Sequence, residues 1–231
     1  MPEPSTLPDA APPAEIRIDA PLQRFAAALA VLGWAALIAQ AFISVNRHIA
    51  LGNGAAYGVM MYTGYFTILT NAFCAMVATS LALGPQASAN WRWWRRPEMI
   101  TAAAVSILLV GVVYHLLLRA IHHPTGLEYA CNIALHYLVP PLFVLLWWLV
   151  VPRGILQWRD AAVAFAFPAA YAVYVFARGE MAGVYPYPFF DVLKIGYGAA
   201  LRNAAGLSVA FIIVGFGFVA LKRSAPRRDA A

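Results

Sequence analysis

The long apolar stretches that dominate this chain hold no acidic residue in their interiors, and no Lys or Arg, so few residue types are left to do chemistry there. An ionisable group inside hydrocarbon is costly, and one that is kept there is a functional candidate by default. Histidine is what remains. His136 lies about one turn into the fourth stretch, in Asn132-Ile133-Ala134-Leu135-His136-Tyr137. Asn132 is four residues earlier, on the same helical face, where it can help orient the ring. His115, beside Tyr114 toward the outer end of the third stretch, is a second candidate support. His48, His122 and His123 fall in loops and read as solvated. In the second stretch Thr63, Thr67, Thr70 or Asn71, and Cys74 recur at three- or four-residue steps and so share one face. Threonines that back-bond to the i−4 carbonyl and assist helix packing account for an isolated Thr. A stripe containing Asn71 favours a site more strongly.

A threonine hydroxyl is a poor nucleophile until a neighbouring base removes its proton, and neutral imidazole suits that task near pH 7. Thr67 and His136 are the pair to consider. Depth decides whether they can meet. Counted from Tyr57, Thr67 is about 15 Å along its helix; counted from Asn132, His136 is roughly 6 Å along its own. The gap of about 9 Å closes only if a helix starts elsewhere or tilts. An activated threonine opening toward the outer leaflet would take an acyl ester delivered from lipid.

The elements that must position these residues are helices. Of 231 residues 62% are hydrophobic and only 11% are charged, less than half the charged fraction usual for a soluble domain. The apolar residues come in blocks near the 17–25 residues that cross a hydrocarbon core. In that solvent each backbone polar group needs an internal partner, and the blocks are too long and uniform for barrel strands. Six spans follow: Phe25–Val45, Tyr57–Leu83, Met99–Ile121, Asn132–Val151, Ala161–Ala177 and Ala204–Leu221. The first is longer than a signal-peptide core and is read as a retained anchor. Residues 1–24, rich in Pro and Ala, read as a disordered cytoplasmic tail, and 222–231 as a basic cytoplasmic one.

Orientation follows from the basic residues. Arg17 and Arg24, then Arg92, Arg95 and Arg96, then Arg153 and Arg159, then Lys222, Arg223, Arg227 and Arg228 fall on one side of the six spans. Arg47, Arg119, Arg178, Lys194 and Arg202 fall on the other. The positive-inside rule puts both termini in the cytoplasm. The net charge of +6 is dispersed in this way and forms no basic stripe with interleaved aromatics, so nucleic acid is not an expected partner. Cys74 and Cys131 differ too much in expected depth to pair. The expected fold is therefore an all-α integral membrane protein, a bundle of six transmembrane helices with both termini cytoplasmic.

Three segments, in order, resemble the androgen-induced membrane protein family. They are Tyr65-Phe66-Thr67-Ile68-Leu69-Thr70-Asn71, the run from Asn132 through His136 to Pro141, and Val184-Tyr185-Pro186 with Pro188-Phe189-Phe190. The resemblance covers helices two through six and leaves out the proline-rich tail. Animal members of that family are threonine hydrolases of fatty acid esters of hydroxy fatty acids, and the family has many bacterial relatives. The resemblance implies Thr67 as nucleophile, His136 as base, no metal or organic cofactor, and a fatty acid ester drawn from membrane lipids as substrate. A bacterial inner membrane is the location it implies. The family varies at the position of Thr70-Asn71, and no acidic third member is visible near His136. Asn71, Asn132, His115 and Asp191 are thus only candidate supports. Two other readings compete: a non-catalytic scaffold or small-solute carrier, and a haem protein with His115 and His136 as axial ligands.

Overall fold

The computed structural model describes residues 16–84 and 88–224. Most of the expected N-terminal tail and most of the C-terminal one lie outside them. Helix α1 (Ala20–Ala50) starts where Asp19 accepts the Leu22 N–H at 3.0 Å, with Pro21 in the first turn, where its missing N–H costs nothing. Residues 20–24, expected in the tail, are therefore helical. The second apolar stretch is two helices, α2 (Ala55–Thr63) and α3 (Phe66–Leu83), broken at Gly64-Tyr65. A short α4 (Ala89–Arg92) and a 3-10 turn over Trp93–Arg95 lead into α5 (Pro97–Val113), which continues through a π-turn at Tyr114–Leu118. Then come α6 (Gly126–Ile133), a second π-turn at Ala134–Leu138, and α7 (Val139–Val150). Helix α8 (Trp158–Ala182), a 3-10 turn at Pro188–Phe190 and α9 (Val192–Arg223), kinked at Gly196, complete the chain.

The described residues contain no strand, and six of their helices are long and apolar enough to cross a membrane. These are Ala20–Ala50, Phe66–Leu83, Pro97–Leu118, Gly126–Val150, Trp158–Ala182 and Val192–Arg223. Several run past the apolar blocks read from sequence. The fourth starts six residues early and carries Glu128; the fifth takes in Arg159 and Asp160; the sixth takes in Lys194 and Arg202. Hydropathy ends where hydrocarbon would end, whereas a helix ends where its hydrogen bonds stop.

Helix α5 is the centre of the bundle, buried almost throughout from Ile100 to Val110 and packed by α3, α7, α8 and α9. Small residues bring neighbours close: a Cβ on Gly33 would lie 3.3 Å from that of Ala75, joining α1 to α3. Interhelical bonds from Trp34 Nε1 to Thr79 Oγ1 (3.1 Å) and Trp147 Nε1 to Thr101 Oγ1 (3.0 Å) join further helix pairs. Large apolar side chains such as Val31, Phe42, Val173 and Ile213 face outward, as lipid contact allows. Cys74 and Cys131 are buried and unpaired.

Candidate functional site

The second stretch breaks just before Thr67, and the break is held from α8. A helix end leaves carbonyls without donors. Arg178 Nη2 donates to Met60 O at 3.0 Å, Tyr174 Oη to Thr63 O at 3.4 Å, and Tyr171 Oη to Gly64 O at 2.9 Å. Residues 171, 174 and 178 sit three and four apart, so one face of α8 serves all three carbonyls. Gly64 leaves room for the guanidinium, whose Cζ would be 2.9 Å from a Cβ there. Arg178 Nη1 also donates to Val184 O at 3.0 Å and so ties the loop that carries Tyr187 to the same point. Restarted at Phe66, α3 presents Thr67 in its first turn, where the backbone N–H has no partner within the helix. That N–H donates to Tyr187 Oη at 3.3 Å.

His136 lies in the second π-turn. The Val139 N–H reaches back five residues to Ala134 O. In that register the donor for Leu135 O would be residue 140, which is proline and has none. Asn71 fills the gap: its Nδ2 donates to Leu135 O at 3.3 Å and to Thr67 O at 2.8 Å, linking the two halves of the site. Gly111 lets α5 approach here, since a Cβ would meet His136 O at 3.2 Å and Pro140 Cβ at 3.3 Å. His136 Nδ1 lies 3.2 Å from Asn132 O. A carbonyl only accepts, so Nδ1 carries the proton and Nε2 of the neutral ring is an acceptor. Nε2 faces Thr67 Oγ1 at 3.3 Å. The Tyr114 ring stacks on the imidazole at 3.8 Å between centroids and 20° between planes. Tyr114 is itself the first residue of the other π-turn, so two π-turns meet face to face, a feature frequent at functional sites.

Two cavities meet at Thr67. One, of about 360 Å³, is lined by Thr67, His136, Asn132 and Tyr187 and extends to Arg47, His48 and Glu128 at helix ends. Arg47 and Glu128 form an ion pair there at 2.6 Å. The other, of about 60 Å³, is walled by Phe66, Leu109, Val113, Leu207 and Phe211. Thr67, Tyr114, Leu118 and Tyr187 border both. A hydroxyl beside a base thus stands between a polar vestibule and an apolar slot.

The expected residues divide. Thr67 and His136 meet, because His136 is ten residues into its helix from Gly126 rather than four. Asn71 braces them. Asn132 supports the ring through its main-chain carbonyl, not its side chain, whose Oδ1 is buried without a partner. His115 is not part of the site: it is exposed and lies 3.5 Å from Tyr137 Oη. Asp191 pairs with Lys194 at 2.9 Å. Thr63, across the break, bonds back to Val59 O and is not on one continuous face with Thr67. His122, read as a solvated loop residue, is exposed but contacts Tyr114 Oη at 3.2 Å through Nδ1. Tyr114 and Tyr187 were missed as site residues, since interfacial tyrosines read as membrane anchors. Burial pushes the Tyr187 phenol up to about 12, against the lowering pull of its Thr67 contacts.

Fold and site together define an all-helical protein with six helices able to cross a membrane and a half-buried Thr–His pair at the junction of two cavities. No family model, curated protein or solved structure matches the chain.

Proposed function

We propose that this chain is a six-span protein of a bacterial inner membrane, both termini cytoplasmic, that hydrolyses fatty acid esters with Thr67 as nucleophile and His136 as base. The observation that carries the reading is the 3.3 Å approach of Thr67 Oγ1 to His136 Nε2, with the tautomer set by Asn132 O. The resemblance to the androgen-induced family points to the same two residues, and the basic residues favour that orientation.

Thr67 Oγ attacks the ester carbonyl while its proton passes to His136 Nε2. The tetrahedral adduct expels the alcohol, which takes that proton, and an acyl ester remains on Thr67. Water attacks the acyl-enzyme with His136 again as base, and a fatty acid leaves. The apolar slot suits the acyl chain, and the vestibule suits the alcohol portion and water. A carbonyl behind the imidazole orients it but stabilises imidazolium less than a carboxylate would. Haem ligation by His115 and His136 is disfavoured, because both ring nitrogens of His136 are engaged and one ring face is covered by Tyr114.

Membranes bearing the protein are exposed to a fluorophosphonate probe, with wild type, Thr67→Ala and His136→Ala at matched folded levels. Labelling of the wild type that is lost in both variants supports the pair. A folded wild type that takes no label removes the hydrolase reading and leaves a scaffold or carrier.

A further inference from the structure

We infer that the Tyr187 hydroxyl is the oxyanion donor of this site, backed by the Thr67 amide at the N-terminus of α3. The inference rests on the hydrolase reading. Attack by Thr67 Oγ moves the carbonyl π pair onto oxygen, and that charge develops within reach of whatever donors border Thr67. Most of them are already committed. The Asn71 amide donates to Thr67 O and Leu135 O. The Asn132 side chain is turned to Tyr114, whose hydroxyl contacts His122 Nδ1 at 3.2 Å. Tyr187 differs. Its oxygen accepts the Thr67 N–H at 3.3 Å, in the first turn of α3. Among the described residues no carbonyl or carboxylate takes its proton, and the one side chain it bonds is Thr67 itself.

The phenol is 7% exposed and borders both cavities, at the junction a substrate carbonyl would occupy. Donors on the phenol oxygen polarise its O–H, and such chains strengthen one another where water is excluded. The positive end of α3 is thereby relayed through one side chain to the reacting oxygen. The ring is held edge-on by Tyr65 and stacked on Phe189 at 5.1 Å, contacts that phenylalanine would keep.

The test compares wild type with Tyr187→Phe in detergent, using p-nitrophenyl octanoate as the ester. Loss of one oxyanion donor predicts a fall in kcat of about 10²–10³-fold with KM changed by less than about threefold. Octyl trifluoromethyl ketone, which forms a tetrahedral adduct with an active hydroxyl, should weaken by a similar factor, while inhibition by octanoate is retained. A kcat within about threefold of wild type overturns the inference, as does equal weakening of ketone and octanoate. If Tyr187→Phe fails to fold, 3,5-difluorotyrosine at 187 replaces it. Its more acidic phenol should shift the alkaline limit of kcat to lower pH, and an unmoved limit overturns the inference. A folded wild type with no esterase activity, or one whose activity survives Thr67→Ala, sinks the hydrolase reading and this inference together. Activity that needs Thr67 but not the Tyr187 hydroxyl sinks this inference alone.

Discussion

Asn71 should be coupled to Pro140, to which it makes no hydrogen bond, because both determine what happens to Leu135 O. Asn71→Leu keeps the branching and number of side-chain heavy atoms and removes two hydrogen bonds. Membrane-buried bonds average about 0.6 kcal/mol, so their loss costs about 1 kcal/mol. Leaving Leu135 O buried without a donor adds about 1–3 kcal/mol. Removing the Asn71 Oδ1, itself buried and unpartnered, returns about 1 kcal/mol. The net expectation is a loss of about 2 kcal/mol. Pro140→Ala alone does little for Leu135 O, which Asn71 already serves, and gives up ring contacts at Gly111. In the Asn71→Leu background the same change supplies the N–H that the π-register lacks. The double variant should therefore be more stable than the sum of the singles by about 1 kcal/mol. Denaturant unfolding in detergent, followed by tryptophan fluorescence, measures all four corners of the cycle. Additivity within about 0.3–0.5 kcal/mol would refute the proline-orphaned carbonyl as the reason Asn71 is there.

Arg178→Met should leave Val184 O without its donor and Met60 O with only the 3.3 Å bond from Thr63 Oγ1, lowering stability by about 2 kcal/mol and slowing fluorophosphonate labelling of Thr67. Arg178→Lys should not restore labelling, since one ammonium lacks the planar fork that reaches both carbonyls; full rescue would discard the clamp. The Tyr187 phenol, held near 12 rather than its ordinary 10, favours folding below pH 10 and loses that contribution as pH rises toward 12. The slope is about 1.4 kcal/mol per pH unit in that window. Wild type should accordingly lose stability faster than Tyr187→Phe between those values, and parallel curves would contradict it.

Six long apolar helices were legible because a bilayer would impose one rule on every residue in it, and long uncharged blocks are what that rule selects. The helix ends were not. Glu128 reads as the edge of a loop, yet its partner Arg47 on α1 accommodates the charge while α6 continues past it. That single error put His136 too shallow and opened an apparent gap to Thr67. The pair was legible as chemistry, being a histidine and a polar stripe in otherwise apolar helices, and Asn71 and Asn132 were legible beside it; Tyr114, Arg178 and Tyr187 were not. His115 has the right residue type and sits next to Tyr114, but a one-residue step turns it to the outside of the bundle.

What hid the remaining supports is loss of helical period, and the same loss makes the site. A regular α3 joined to α2 would spend the Thr67 N–H on residue 63, and Tyr187 would have nothing to accept. A regular helix through Ala134–Leu138 would bond the Val139 N–H to Leu135 O, and Asn71 would lose one of its two anchors. Each irregularity frees a backbone group that its own helix no longer serves, so each calls for a polar side chain from elsewhere in the fold. Asn71, Tyr171, Tyr174, Arg178 and Tyr187 answer those demands. Pro140 and Gly64 were visible in the sequence as breakers, and each announces a missing donor or a stopped helix. Asn71 shares a regular helix with Thr67 and shows by period alone, whereas Tyr187 and Arg178 answer breaks that carry no period.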